Sequence, residues 1–252
     1  MPRLGRYFAV EQTQYVVQRG HNIQKIFLRP EDYVRYSEYL MAGAGTHGCA
    51  INAFVLMPSD VHLLVTPKGM SSLPRMMQSL GRRYVRYFNT VHGRRGTLWD
   101  GRYRAAPLDA DEHFLACCRF IETIPARAGL AQRARDHPWS SYLFHAQGAP
   151  TWLVTMHAVY RALGHTPSER QQNYRAQFRK GVDPDFAREL RAAVDGGWVL
   201  GSDRYRRVVA EAQGRRTAPL PRGRPPKPRP VPAVAEALPP LPEVSPPTAA
   251  EA

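Results

Sequence analysis

Short apolar runs, separated by turn-forming residues, predict the β-strands of this chain. The clearest example is the stretch 51–67, I-N-A-F-V-L-M-P-S-D-V-H-L-L-V-T-P. Branched and aromatic residues favour strands and proline and serine favour turns, so this stretch predicts the strands Ile51–Met57 and Val61–Thr66, joined as a hairpin. The other two strands are predicted at Gln12–Gln18 and Tyr103–Leu108.

Apolar residues spaced three and four apart predict helices between these strands. The first helix is predicted from Glu31 to about His47, and the second from Ser71 to Val91. A third helix is predicted to run from Asp109 to Ile124 and to stop at Pro125. The resulting order, β-α-β-β-α-β-α, predicts an α+β fold built on a β-sheet.

The second strand of the hairpin carries the first candidate for chemistry. Successive side chains on a strand point to opposite faces, so Asp60 and His62 should lie side by side, with Val61, Leu63 and Val65 pointing into the core. A carboxylate beside an imidazole can be two ligands of a metal site. It can equally be a solvated turn aspartate beside a hydrogen-bonded histidine, and the residues alone leave both interpretations open.

Composition indicates a polyanionic partner. The 252 residues carry a formal net charge of +14, with 35 Lys+Arg against 21 Asp+Glu. Nucleic acid is the expected partner of such a basic chain, although a merely soluble basic protein has the same charge. No apolar run approaches the ~20 residues that a membrane-spanning helix needs. Three cysteines without a C-x-x-C pair support neither a disulfide framework nor a zinc ribbon, and we expect a cytoplasmic, reducing environment.

Arginines concentrate in the second predicted helix and in the glycine-rich loop after it. They predict either a solvated face or a surface that follows phosphates, with Tyr84 or Tyr87 available to stack on bases. Glycine-flanked basic loops that contain an aromatic residue allow close approach to phosphate, which favours nucleic acid. The predicted DNA-binding residues of this region are Arg82, Arg83, Arg86, Arg94, Arg95, Trp99, Arg102 and Arg104.

We predict that the chain divides into three regions, namely a main domain at 1–148, a basic helical accessory region at 149–214, and a tail at 215–252. The tail contains 12 of the 23 prolines and is predicted to be disordered. Within it P-R-G-R-P-P-K-P (Pro221–Pro228) resembles an AT-hook, in which Arg222 and Arg224 would enter the minor groove. A proline-rich basic tail without this role is the alternative.

Several motifs resemble those of the REP-associated tyrosine transposases, which belong to the HUH single-tyrosine transposases. They are M-P-S-D-V-H-L-L-V-T-P, G-T-L-W-D-G-R-Y, the run C-R-F-I-E-T-I-P-A-R-A-G-L, and H-P-W-S-S-Y. The resemblance covers about Gln12 to Tyr142, with a weaker match near 196–216. It implies a ferredoxin-like antiparallel sheet with helices on one face, followed here by a helical extension.

The resemblance also implies a catalytic mechanism and the positions of its residues. Family members cut single-stranded DNA with a tyrosine nucleophile and a Mg²⁺ or Mn²⁺ ion held by two histidines and an asparagine. Carried over by position, the metal ligands fall on Asp60, His62 and Ile124, and the nucleophile falls on Phe120. Only His62 is the expected residue. Phe120 has no nucleophilic atom, so we expect strand cleavage to be lost.

The sequence therefore predicts a transposase-like protein that binds hairpin or single-stranded DNA, as a monomer or homodimer, in the cytoplasm or at the nucleoid. One alternative is an active metal-dependent nuclease in which Tyr103 or Tyr142 replaces the missing nucleophile. The other is an RNA-binding protein, because composition does not separate the two nucleic acids.

Overall fold

A computed structural model describes residues 10–219. The AT-hook-like segment, with Arg222 and Arg224, lies outside the described residues. In chain order the elements are β1 (Gln14–Arg19), α1 (Pro30–His47), β2 (Cys49–Leu56), β3 (Asp60–Pro67), α2 (Ser72–Val91), β4 (Arg104–Pro107), α3 (Ala110–Glu122), α4 (Ile124–Arg127), α5 (Tyr142–Gln147), α6 (Ala158–Arg161), α7 (Pro167–Gln177), α8 (Pro184–Gly196) and α9 (Asp203–Gln213).

The four strands form one antiparallel sheet in the order β2-β3-β1-β4. Strand β3 therefore lies between β1 and β2, which is the split arrangement of a ferredoxin-like β-α-β-β-α-β unit. The predicted α+β class is confirmed. A bulge in β2 at Asn52 shifts the pairing with β3, and the Asn52 amide accepts a hydrogen bond from the hydroxyl of Thr66 at 2.6 Å.

Helix α1 begins and ends at residues suited to those positions. Pro30 occupies the first turn, where its missing N–H costs nothing. The carboxylate of Asp32 accepts hydrogen bonds from the backbone N–H groups of Leu28 and Arg29, at 2.8 and 3.2 Å. Gly48 ends the helix with φ of 64°, a left-handed conformation that glycine adopts without steric cost.

Helices cover both faces of the sheet. On the first face α1 and α2 pack against strand residues that include Val16, Leu63 and Val65. On the second face α3 and the later helices pack against residues that include Tyr15 and Leu64. The predicted layer of helices on one face thus corresponds to α1 and α2, and the helical extension covers the opposite face.

A buried carboxylate joins α3 to the extension. Glu122 is fully buried and accepts hydrogen bonds from the hydroxyl groups of Ser141 and Tyr174, at 2.6 and 2.7 Å. The Nδ1 atom of His145 lies 2.8 Å from the same carboxylate. Packed structure continues to Thr217, which is buried and whose carbonyl accepts a hydrogen bond from the N–H of Val199.

Irregular segments lie along both edges of the sheet. On the outer side of β2, the N–H of Leu56 donates to the carbonyl of Trp139, and the carbonyl of Ile51 accepts from the N–H of Thr155. At the end of β4, the N–H of Leu200 donates to the carbonyl of Pro107 at 2.9 Å.

None of the helices between residues 10 and 219 combines the length and the apolar character that crossing a bilayer requires.

Candidate functional site

Asp60 and His62 lie together at the start of β3, as the alternation of the strand predicts. The Oδ1 atom of Asp60 is 3.4 Å from Nε2 of His62. Both side chains project from the second face of the sheet, because their neighbours Val61 and Leu63 pack into the core under α1 and α2. The imidazole is 7% exposed, so the pair forms a small polar site at the edge of an apolar layer.

Tyr15 completes this polar group and was not among the predicted site residues. Its hydroxyl oxygen lies 2.6 Å from Nδ1 of His62, and the two rings stack with centroids 5.9 Å apart. Burial raises the pKa of the Tyr15 hydroxyl well above its usual value. The hydroxyl therefore stays protonated and donates to Nδ1, which leaves Nε2–H directed at Asp60.

Tyr15 could have been found only from the pairing of the strands. In the sheet Val17 pairs with His62, so Tyr15, two residues earlier, is the diagonal neighbour of His62 on the same face. The sequence pattern predicts β1 and β3, but it does not give the register between two strands separated by α1 and β2.

The metal ligands implied by the family resemblance are incomplete here. Asp60 and His62 supply two donor atoms, and the third-ligand position holds Ile124, whose side chain cannot coordinate an ion. Within residues 10–219 no group of three His, Cys, Asp or Glu side chains is placed to hold a metal. The residues present therefore do not fit the three-ligand site that Mg²⁺ or Mn²⁺ would occupy in a family member.

Phe120 lies beside Tyr15, a member of this polar group. Its ring meets the ring of Tyr15 edge-on, with centroids 6.0 Å apart, and the residue is 3% exposed. The position at which the resemblance places the nucleophile thus carries a hydrocarbon ring in contact with Tyr15. Its immediate surroundings are apolar and aromatic, apart from the hydroxyl of Tyr15 and two nearby guanidinium groups.

The helix that carries Phe120 ends earlier than predicted. Helix α3 stops at Glu122, and the short helix α4 begins at Ile124. The hydroxyl of Thr123 donates to the carbonyl of Arg119 at 2.7 Å, and Pro125 lies in the first turn of α4. The prediction of one helix through Ile124 is therefore wrong, because Pro125 starts a new turn instead of ending the old one.

The two tyrosines proposed as replacement nucleophiles pack in two different apolar clusters. Tyr103 packs in the core beneath α1 and α2, on the opposite face of the sheet from Phe120. Tyr142 lies at the start of α5, where its ring packs against Phe178 with centroids 4.9 Å apart.

The arginines of α2 form an exposed face of that helix. Arg82, Arg83 and Arg86 are all exposed, and the guanidinium of Arg83 lies over the ring of Tyr39 at 4.3 Å. An open groove lined by Tyr39, Arg83, Arg86 and Tyr87 runs along this face. Partly exposed tyrosines beside arginines offer both stacking and phosphate contacts to a single strand.

Tyr84 does not belong to this face. It is fully buried, and its hydroxyl donates to the carbonyl of Ile26 at 2.6 Å. The suggestion that Tyr84 stacks on bases is therefore wrong, whereas Tyr87 remains partly exposed.

The loop after α2 contributes three more arginines. Arg95 and Arg102 are exposed, while Arg94 is partly buried and donates to the side-chain oxygen of Gln24 at 2.7 Å. Trp99 is 8% exposed and packs in the core near Tyr84. The buried ring holds the basic loop on the core, and DNA binding by Trp99 stays a prediction.

Arg104 is separated from the other arginines. On β4 the flanking Tyr103 and Ala105 pack under α1 and α2, so the side chain of Arg104 points to the second face of the sheet. There it forms an ion pair with Asp195 of α8. The prediction that all seven arginines share one surface is wrong at Arg104.

The described strands and helices form an α+β domain, and Asp60, His62 and Phe120 lie in it. Residues 12–123 match the family model described as IS200-like transposases. The matched region is less than half of the chain, and it contains Asp60, His62 and Phe120.

Two solved structures are similar to the chain. One is described as a REP-associated tyrosine transposase bound to a REP hairpin; it is 17% identical, with a TM-score of 0.48 over 63% of this chain and 93% of that chain. The other is a putative transposase from Deinococcus radiodurans R1; it is 21% identical, with a TM-score of 0.34 over 46% of this chain and 91% of that chain. No curated protein matches the chain.

Proposed function

We propose that this protein binds hairpin or single-stranded DNA and does not cleave it. The observation that carries the proposal is the phenylalanine at position 120, beside His62, where the family mechanism needs a nucleophilic oxygen. The motifs described above further support a relationship between this protein and the REP-associated transposases. Under this proposal the protein acts in the cytoplasm, at the nucleoid, as a monomer or homodimer.

The binding surface in this proposal consists of the exposed arginines of α2 and of the following loop. Arg82, Arg83, Arg86, Arg95 and Arg102 are exposed and none forms an ion pair with a carboxylate among residues 10–219. Such guanidinium groups bind phosphates and release counterions from the nucleic acid.

The experiment uses a DNA hairpin with a single-stranded flank, incubated with the protein and Mn²⁺. We expect a complex in native gels and no protein–DNA adduct after denaturation. The matched comparison is an RNA hairpin of the same sequence, which should bind more weakly. Equal or tighter binding of the RNA would favour the RNA-binding alternative.

A second candidate function is cleavage by a non-standard tyrosine. Tyr15 supports it better than Tyr103 or Tyr142, because its hydroxyl lies 2.6 Å from His62 and His62 lies 3.4 Å from Asp60. A base oriented by a carboxylate is how enzymes activate hydroxyl nucleophiles. The burial of Tyr15 and its raised pKa oppose this role. A Mn²⁺-dependent adduct that Tyr15→Phe abolishes would establish cleavage and overturn our proposal.

A further inference from the structure

Two arginines from distant parts of the chain lie over the ring of Phe120. The guanidinium carbon of Arg127, in α4, is 4.4 Å from the ring centroid, and that of Arg191, in α8, is 5.5 Å from it. Arg191 belongs to the helical extension, beyond the region that matches the transposase family. The fold therefore brings a residue of the extension to the former catalytic position.

The guanidinium of Arg127 is held in place by the turn between α3 and α4. Its Nη2 donates to the carbonyl of Phe120 at 2.7 Å, and its Nε donates to the hydroxyl of Thr123 at 3.2 Å. A guanidinium has five N–H groups, so three remain for another partner. The guanidinium of Arg127 is thus fixed in orientation, and three of its N–H groups can donate to another partner.

The two positive charges lack a carboxylate partner. In the described part of the chain neither Arg127 nor Arg191 forms an ion pair, and Asp195 of the same helix pairs with Arg19 and Arg104. Burial lowers the pKa of Arg127, and the positive charge of Arg191 lowers it further. Both side chains are exposed, and two like charges held near each other repel, which an anion lying between them relieves.

Cation–π contact alone accounts for one arginine over the ring but not for two. Each such contact is weakly favourable at an exposed site, and a second guanidinium adds charge repulsion to it. An anion with several oxygens relieves the repulsion and satisfies the free N–H groups. Phosphate fits best, because planar guanidinium groups bind its oxygens through paired hydrogen bonds.

We propose that Arg127 and Arg191 bind one phosphate group above Phe120, so that the former catalytic position holds a phosphate without attacking it. This inference rests on the proposed DNA-binding function, which makes the nucleic-acid backbone the source of the phosphate. The helix α8 then serves as part of the DNA-binding site and not only as a cover of the sheet.

The test compares Arg191→Ala with Arg188→Ala, a matched control on the same helix. Arg188 is largely exposed and pairs with Asp185 in the preceding turn, so its loss removes the same charge elsewhere. Arg191 is preferred to Arg127 because Arg127 also donates to the backbone of α3. Circular dichroism and thermal melting establish that both variants fold.

Two probes are used with each protein: oligo(dT) over a range of salt concentrations, and inorganic pyrophosphate in a thermal-shift assay. We expect Arg191→Ala to lose roughly tenfold in oligo(dT) affinity, the effect of one charge-assisted contact. Its salt slope should fall by about 0.7, the value for one phosphate on a single strand. Pyrophosphate should raise the melting temperature of wild type and of Arg188→Ala, but not of Arg191→Ala.

The two probes distinguish a failure of this inference from a failure of the proposed DNA-binding function. If Arg191→Ala and Arg188→Ala respond alike to both probes, the arginine pair binds no phosphate and the inference is overturned, whatever the affinity for DNA. If pyrophosphate distinguishes the variants but wild type does not bind oligo(dT), the pair binds free phosphate, and the DNA-binding function fails instead. Arg191→Lys, which keeps the charge but not the planar fork, should keep the salt slope and lose part of the affinity.

Discussion

At position 120 a single oxygen atom separates the observed phenylalanine from a nucleophilic tyrosine. The ring of Phe120 already meets Tyr15 edge-on, beside His62. Under the proposed function, a phenylalanine at this position removes the nucleophilic oxygen and leaves an aromatic ring on α3. If the positions implied by the resemblance are right, the site differs from a family site in three side chains, and substitution of those three residues tests this.

We predict that Asp60→His, Phe120→Tyr and Ile124→Asn together restore metal binding and strand cleavage. The triple variant should bind Mn²⁺ more tightly than wild type and form a covalent adduct with a hairpin substrate. Ile124→Asn carries the main risk to stability, because an unpaired buried amide costs about 1–3 kcal/mol. Metal titration by calorimetry and denaturing gels provide the two measurements.

The control for this prediction is the double variant Asp60→His, Ile124→Asn, which retains Phe120. It should gain metal affinity and form no adduct. A folded triple variant that gains neither property would show that these three positions do not correspond to the family's ligands and nucleophile.

Side chains on a single strand were predictable, whereas contacts between strands were not. Alternation along β3 was enough to place Asp60 beside His62, a pair that the structure confirms at 3.4 Å. Tyr15 was missed because its position depends on the register of β1 against β3. The burial of Trp99 was not predicted because an aromatic residue in a basic loop suits base stacking and core packing equally well.

At the scale of elements, α1 and α2 are joined by one buried carboxylate. Asp32 is fully buried and contacts the hydroxyl of Tyr87 at 3.1 Å and Nε2 of His92 at 3.0 Å, in addition to its backbone bonds at the start of α1. Burial alone would raise the pKa of Asp32, but the hydrogen bonds from Leu28, His92 and their neighbours outweigh it and lower the pKa below its usual value.

We predict that Asp32→Asn lowers the free energy of unfolding by about 1–3 kcal/mol at neutral pH. A carboxyl whose pKa is lowered by folding stabilises the protein above its unfolded pKa, about 3.9 for aspartate. That contribution disappears as pH falls through the lower, folded pKa. The difference between wild type and Asp32→Asn should therefore be constant near neutrality and shrink below about pH 4.

Urea unfolding at several pH values measures this difference. Glu31→Gln is the matched control, since Glu31 is the preceding residue in the same helical turn and is exposed. It should change stability little at any pH. A difference for Asp32→Asn that stays unchanged into strong acid would contradict the assignment of Asp32 as an ionised link between the helices.

Helices and strands were predictable where local signals act alone. The bounds of α1 and α2 follow from Pro30, Gly48 and the spacing of apolar residues, and the structure confirms both helices within about two residues. The end of α3 was misplaced because Pro125 is compatible both with a stop and with a first turn. The side chain of Thr123, which bonds back to Arg119, is the local feature that decides between them.

At the scale of the whole molecule, the extension stabilises the face that carries Phe120. Tyr160, Tyr174 and Leu190 belong to the same apolar cluster as Phe120, and Tyr174 also donates to the buried Glu122. The accessory region was predictable as helical and basic, but its packing on the sheet was not, because its contacts are distant in sequence.

We predict that a chain truncated after Gly148 has a lower melting temperature and binds the dye ANS. The truncation exposes the apolar cluster and leaves Glu122 without the hydroxyl of Tyr174, and an unsatisfied buried charge is costly. A chain ending at Pro219, which retains all the described residues, is the control and should melt like the full chain. Equal melting of the two truncated chains would mean that residues 1–148 fold independently.

We predict that replacing Arg82, Arg83 and Arg86 by glutamine flattens the salt dependence of single-strand binding by about two, since each phosphate contact contributes about 0.7. The measurement is the slope of log affinity against log salt for oligo(dT). The control replaces three exposed arginines on α6, α8 and α9, namely Arg161, Arg188 and Arg204. If both triple variants show the same slope, binding follows net charge and not the α2 surface.

The segments along the sheet edges limit how a second copy of this protein can associate. The outer side of β2 is bonded to residues near Trp139 and Thr155, and β4, only 4 residues long, is bonded at its end to Leu200. Exposed strand edges are the usual route to continuous intermolecular sheets and to fibrous aggregates. Within residues 10–219 these bonds occupy part of each edge, so we expect a homodimer to form through side-chain contacts between helices or loops.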